Sequence, residues 1–151
     1  SIRLEYTSIM PWVYTHKYDI NSYTTDYNSL GHWSGPNSEV YYVHLAKDWT
    51  RRFNSGFKFR QWKKGNNYDD ENIGGDILIG HGDLFSGQTE ARETRKFLEG
   101  KLTKEKRYQI YLNYELWNDF YLSAHFNYID LKVEDKQDYL NELFFGIKLQ
   151  Y

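Results

Sequence analysis

Cysteine is missing from the 151 residues, which excludes disulfides and thiol chemistry. Charge of one sign is also missing. A formal net charge of −2 gives the surface as a whole no pull toward nucleic acid or an anionic membrane, so no nucleic-acid partner is expected. Long hydrophobic runs do not occur either. The longest, Leu143-Phe144-Phe145-Gly146-Ile147, falls far short of the roughly 18 to 20 residues that a transmembrane helix needs. The mean hydropathy of −0.83 points the same way, against a helical membrane protein. It does not exclude a membrane β-barrel, whose strands are apolar on one face only and whose polar loops dilute the average. No signal peptide is visible, and the chain opens inside what reads as a strand, Ile2-Arg3-Leu4-Glu5-Tyr6. The expectation is therefore a fragment or processed chain.

What the chain does contain is aromatic residues. Fifteen Tyr, nine Phe and five Trp make up 19% of it, enough to suggest surfaces that are dry at one end and wet at the other. Protein interfaces, sugar-binding surfaces and bilayer edges all meet that description.

Alternation of apolar and polar residues predicts six strands, at about Ile2–Thr7, Glu39–Trp49, Phe53–Lys63, Phe97–Leu116, Asp119–Tyr128 and Glu142–Tyr151. In the last, Leu143, Phe145, Ile147, Leu149 and Tyr151 oppose Phe144, Gly146, Lys148 and Gln150. A soluble half-buried sheet also alternates, so the connections must discriminate. Lys104-Glu105-Lys106 resembles a hairpin turn, yet Leu98, Gly100 and Leu102 keep the phase of Tyr108, Ile110 and Leu112, which favours one long strand. Short turns are then expected near Thr50–Arg52 and Trp117–Asn118, and long loops over about Ser8–Ser38, Lys64–Lys96 and Ile129–Asn141.

Short turns at one rim and long loops at the other form the outer-membrane arrangement, with the long loops outside the cell. The expected fold is all-β: an antiparallel up-and-down transmembrane barrel. Trp49, Phe53, Trp117, Phe120 and Tyr151 fall on the short-turn rim, where a membrane-interface girdle would lie against outer-membrane lipid. Lys47 falls on the same lipid face and would have to snorkel. Barrels of this kind have at least about eight strands, and open edges in lipid would strand backbone groups. Residues 1–151 are therefore expected to be the C-terminal portion of one larger barrel domain.

The first loop carries a more specific pattern. Glu5-Tyr6-Thr7 leads into Pro11-Trp12-Val13-Tyr14-Thr15-His16, Tyr23-Thr24, Leu30-Gly31-His32 and Gly35-Pro36-Asn37. With Gly74-Gly75-Asp76, Gly80-His81 and Phe97-Leu98-Glu99-Gly100, this run resembles the capsule assembly protein Wzi family of bacterial outer-membrane proteins. Met10 stands where that family has Asn, and Ser38 where an acidic residue is common. The resemblance implies a closed barrel of about eighteen strands. It also implies a surface lectin that holds or organises capsular polysaccharide. The ending Gly146-Ile147-Lys148-Leu149-Gln150-Tyr151 is similar to the signal read by the barrel assembly machinery, with Phe144 at its usual polar position.

Other constellations are weak. The five histidines lack zinc-ligand spacing, and neither a metal nor another cofactor is expected. His81 with Asp83 could form a base and its orienter, but Ser86 is only a nominal nucleophile, and no enzyme is expected. Asp69-Asp70-Glu71-Asn72 offers oxygen donors without the glycine and terminal glutamate of a calcium loop. The lumen-face charges Arg3, Glu5, Lys58, Arg60, Arg107, Glu115 and Lys148 are mixed in sign, as structural pairing requires. The loop aromatics Trp12, Tyr14, Tyr18, Tyr23, Tyr27, Trp33 and Tyr68 are the best functional lead, since an aromatic ring packs on a sugar face while polar neighbours take its hydroxyls. Candidate carbohydrate-binding residues are Trp12, Tyr14, His16, Tyr23, Trp33, Tyr68, Asp69 and Asp70. The alternative is a porin or transporter in which the lumen does the work.

Overall fold

The computed structural model describes residues 1–14, 23–26, 28–69, 71–79 and 96–149. It contains a six-stranded antiparallel sheet in the order β1 (Ile2–Ile9), β4 (Ser38–Thr50), β5 (Phe53–Asn66), β6 (Lys101–Trp117), β7 (Phe120–Val133) and β8 (Lys136–Leu149). A two-stranded ribbon, β2 (Thr24–Thr25) with β3 (Asn28–Ser29), lies within the first long connection. Each long strand pairs with its sequence neighbour in the sheet, so the architecture is up-and-down. No helix occurs among the described residues.

Register fixes the two faces, because side chains alternate with period two. On one face Ile2, Leu45, Phe57, Ile110, Phe126 and Leu143 form a continuous cross-strand row. The row beside it runs Leu4, Val43, Phe59, Tyr108, Tyr128 and Asn141. The opposite face carries Glu5, Tyr42, Arg60 and Arg107 in one row and Arg3, His44, Lys58, Gln109, Asn127 and Glu142 in the next. The apolar face has no second layer over it among the described residues; Phe145 is 79% and Ile147 71% exposed. A two-layer sandwich would bury such a face.

The small buried core lies at the long-connection end of the sheet. Ile9, Val40, Ile73 and Ile77 are buried there, with Ser34, Pro36, Asn37, Ser38 and Asn72. The described parts of the first and second long connections thus pack on each other and on the Ser38 end of β4, forming a cap.

Two expected boundaries change. The loop expected over Ile129–Asn141 is instead strand on both sides of a two-residue turn, Glu134-Asp135, with Val133 opposite Lys136. Short and long connections therefore do not alternate strictly. The cause lies in the polarity of the faces. Beyond Tyr128 the alternation continues, but its sign inverts: Asp130 and Lys132 take the formerly apolar face, and Ile129, Leu131 and Val133 the other. A single apolar phase cannot follow a strand past that inversion. The strand expected to begin at Phe97 begins at Lys101, because Leu98 (φ 59°) and Gly100 (φ 105°) take left-handed backbone that no strand accommodates. The single long strand through Lys104-Glu105-Lys106 is present as β6.

Candidate functional site

The cap is organised by Asn37, whose backbone sits at φ 53° and whose side chain is fully buried. Asparagine tolerates that left-handed region better than most residues, because its short polar side chain bonds locally. Its Nδ2 donates to the carbonyls of Gly65 (2.9 Å) and Glu99 (2.8 Å), and its Oδ1 accepts from the Leu98 amide (2.8 Å). The backbone adds Asn37 N–H to Met10 O (3.2 Å) and Gly65 N–H to Asn37 O (2.9 Å). One residue therefore ties together the end of β1, the end of β5 and the entry to β6. Gly65 permits this closeness, since a Cβ there would collide with the Glu99 carbonyl and the Asn37 amide. Around it, the Ser38 hydroxyl donates to Gly35 O (2.6 Å) and lies 2.8 Å from Ser34 Oγ, and His32 Nδ1 meets Ser34 Oγ at 2.8 Å.

Trp33 stands on this platform, 53% exposed. The Arg60 guanidinium lies 4.5 Å from its ring centroid, and the Trp62 ring lies 5.9 Å away. Arg60 is held in turn by Glu105 on β6, which also pairs with Arg107 at 3.4 Å. Beside Trp33 opens a cavity of about 690 Å³, walled by Trp33, Pro36, Trp62, Lys64, Asn67, Tyr68, Asp69 and Asp76 among others. Lys64 lies beyond the apolar band, and its ammonium donates to Pro36 O (2.9 Å). Burial pushes its pKa below the usual lysine value, while the carboxylate of Asp76 opposes the shift.

Two further donors on the lining residues, Trp62 Nε1 and Asn67 Nδ2, are buried and have no hydrogen-bond partner among the described residues. Asn67 Oδ1 is occupied, accepting from Ile73 N (3.1 Å) and Gly75 N (2.9 Å). A buried donor left unpaired costs about 1–3 kcal/mol. Aromatic side chains, the Lys64 ammonium and two carboxylates lining one hollow suit a polyhydroxylated ring.

The candidate carbohydrate residues separate into two groups. Trp33, Tyr68 and Asp69 share the cavity, and Asp69 also pairs with Lys101 at 2.6 Å. Trp12 and Tyr14 are half-buried loop supports. Trp12 packs against Gly74, where its ring fills the space a Cβ would take, and its amide donates to Gly74 O at 3.1 Å. Tyr14 lies against Gly31 and stacks on the exposed Tyr23 at 5.9 Å. None of Trp12, Tyr14 and Tyr23 lines the cavity. His16 and Asp70 lie outside the described residues, as do Tyr18, Tyr27, His81, Asp83 and Ser86. Of the acidic run, Asn72 turns inward, its Oδ1 accepting from Gly74 N at 3.0 Å.

Trp62, Lys64, Asn67 and Asp76 were not among the candidates. A tryptophan alternating onto the polar face at the outer end of a strand was the available signal for Trp62.

At the short-turn end, Trp49 and Phe53 flank the β4–β5 turn, and Trp117 and Phe120 flank the β6–β7 turn with rings 5.5 Å apart. Tyr151 lies outside the described residues. Lys47 reaches toward this rim, its ammonium 3.9 Å from the centroid of the Trp49 ring. The opposite end of the apolar face carries a second aromatic belt. Tyr6 meets Tyr41 at 4.9 Å, Phe59 meets Tyr108 at 5.1 Å, and Tyr128 bridges Tyr108 (5.9 Å) and Tyr139 (6.3 Å). Between the belts, the polar face carries His44, whose Nε2 lies 3.0 Å from Tyr111 Oη, and His125, stacked on the Tyr111 ring at 6.1 Å. No family model, curated protein or solved structure matches the chain.

Proposed function

We propose that the sheet is part of an outer-membrane β-barrel and that its cap binds surface polysaccharide, as the resemblance to the Wzi family implies. The carrying observation is the cap cavity, in which Trp33, Trp62 and Tyr68 stand beside Lys64, Asn67 and two carboxylates. The membrane reading is supported by the exposed apolar face with an aromatic belt at each end. On β7 that face runs from Phe120 to Tyr128. At about 3.3 Å per residue and a tilt of about 40°, this stretch spans about 20 Å, near the roughly 25 Å apolar band of such barrels. Further strands pairing with β1 and β8 would satisfy the backbone groups at the sheet edges, as lipid requires. In this reading the protein is a non-enzymatic lectin, and β8 engages the barrel assembly machinery.

The test is binding of purified capsular polysaccharide to the full-length protein in detergent. Trp33→Ala with Tyr68→Ala is expected to weaken it at least about tenfold, the effect of losing roughly 1.4 kcal/mol of ring contact. Undiminished binding would remove the cavity from the account. The porin reading draws on the polar inner face, and a large, steady single-channel conductance would favour it.

A further inference from the structure

Just beyond the upper aromatic belt, on the same face as the apolar band, register lines up Lys63, Lys104 and Lys132 on three adjacent strands. Lys106 sits one step nearer the band, between Gln61 and Asp130. Like charges directly opposite each other destabilise a sheet, so this row costs the fold something. The carboxylates on this face offset only part of it. Glu39 bonds Lys63 at 2.9 Å, and Asp130 accepts from Gln137 at 2.9 Å. Lys104, Lys106 and Lys132 are exposed and have no ion-pair partner among the described residues. Directly beneath them the face turns to Tyr108 and Tyr128, then to Ile110, Phe126 and Leu143.

We propose that this lysine row binds the phosphorylated headgroup of an outer-leaflet lipid whose acyl chains run down the apolar face below. The proposal rests on the membrane reading but not on the glycan cavity, which opens elsewhere on the cap. Charge complementarity selects the occupant. Lysine ammoniums are mobile point charges suited to phosphate, and their surplus lies at the level where a headgroup sits above its own chains. The tyrosines between lysines and band have the amphipathic character of that boundary. A lipid bound there would also relieve the repulsion along the row.

The test uses full-length protein in a zwitterionic detergent, with diphosphorylated lipid A and the same lipid stripped of phosphate as probes. Native mass spectrometry reads the lipid retained across a titration. The wild type is expected to prefer the phosphorylated lipid. Lys104→Gln with Lys132→Gln is expected to weaken its retention roughly thirtyfold and to abolish the preference, while Lys104→Arg with Lys132→Arg keeps it. Equal retention by the glutamine variant, or no preference in the wild type, would overturn the proposal. Ready displacement by inorganic phosphate would overturn the lipid assignment by making this a bare anion site. Uptake of both lipids alike would defeat the phosphate site alone. A protein that stays in water without detergent and takes up neither lipid would defeat the membrane reading itself.

Discussion

Replacing Asn37 by alanine should dismantle the cap while leaving the sheet standing. The substitution removes three hydrogen bonds, to Gly65 O, to Glu99 O and from Leu98 N. Each is worth about 1 kcal/mol net, and alanine in the left-handed region costs about 1 kcal/mol more. The expected loss is therefore about 4 kcal/mol, or roughly a thousandfold in the local opening equilibrium. Hydrogen exchange at the Leu98 and Gly65 amides reads this directly, because both depend on Asn37. Protection at those two amides should fall by about that factor, while amides in the centre of β6 and β7 keep theirs. Asn37→Gly should be less damaging than alanine, since glycine accepts the backbone angle without a clash. Unchanged protection at Leu98 in the alanine variant would refute the assignment of Asn37 as the knot. A uniform loss across the sheet would refute the separation of cap from sheet.

Other outcomes follow from the same geometry. Trp12→Ala should lower cap stability by about 2 kcal/mol, because the ring fills the space over Gly74; polysaccharide affinity measured under conditions where the cap stays folded should be unchanged. Glu105→Gln should destabilise the protein by about 2 kcal/mol in urea, because Arg60 and Arg107 lose the carboxylate they share. In bilayers, lipids brominated near the headgroup should quench single-tryptophan variants that keep only Trp49 or Trp117, and should leave one keeping only Trp33 bright; equal quenching of all three would contradict the rim assignment.

Much of the sheet was legible because its apolar face keeps one phase between the aromatic belts, with Lys47 and Ser55 as polar exceptions. Leu122, Ala124 and Phe126 alternate with Ser123, His125 and Asn127 in unbroken register with β6, so parity alone sets the pairing. The upper ends of β7 and β8 were not legible. There the apolar face takes Asp130 and Lys132, and a pattern defined by apolar phase stops where the strand does not. In β6 the constant phase from Leu102 to Ile110 carried the strand through Lys104-Glu105-Lys106, but that Glu105 gathers Arg60 and Arg107 depends on cross-strand neighbours that phase does not name.

The cap was harder to foresee, because composition does not separate a ring that supports a loop from one that faces a hollow. Trp12 and Trp33 both sit in loop-like sequence with a proline and a histidine close by, Pro11 and His16 for one and His32 and Pro36 for the other. Their fates are decided by long-range neighbours, Gly74 for one and Arg60 with Trp62 for the other. The Gly35-Pro36-Asn37 motif was visible as a pattern, but its role as a buried knot depends on carbonyls of Gly65 and Glu99, far along the chain.

The central claim is that one face of this sheet meets lipid and the other meets water or protein. Residues 1–151 contain no cysteine, so a label introduced there has no native thiol of this region to compete with it. Single cysteines introduced at each position from Leu122 to Asn127 in the full-length protein, spin-labelled in outer-membrane lipid, report contact with apolar oxygen against a water-soluble nickel reagent. Labels at Leu122→Cys, Ala124→Cys and Phe126→Cys should favour oxygen, and those at Ser123→Cys, His125→Cys and Asn127→Cys should not. Loss of the period-two pattern, or equal access of the nickel reagent to all six positions, would contradict the account.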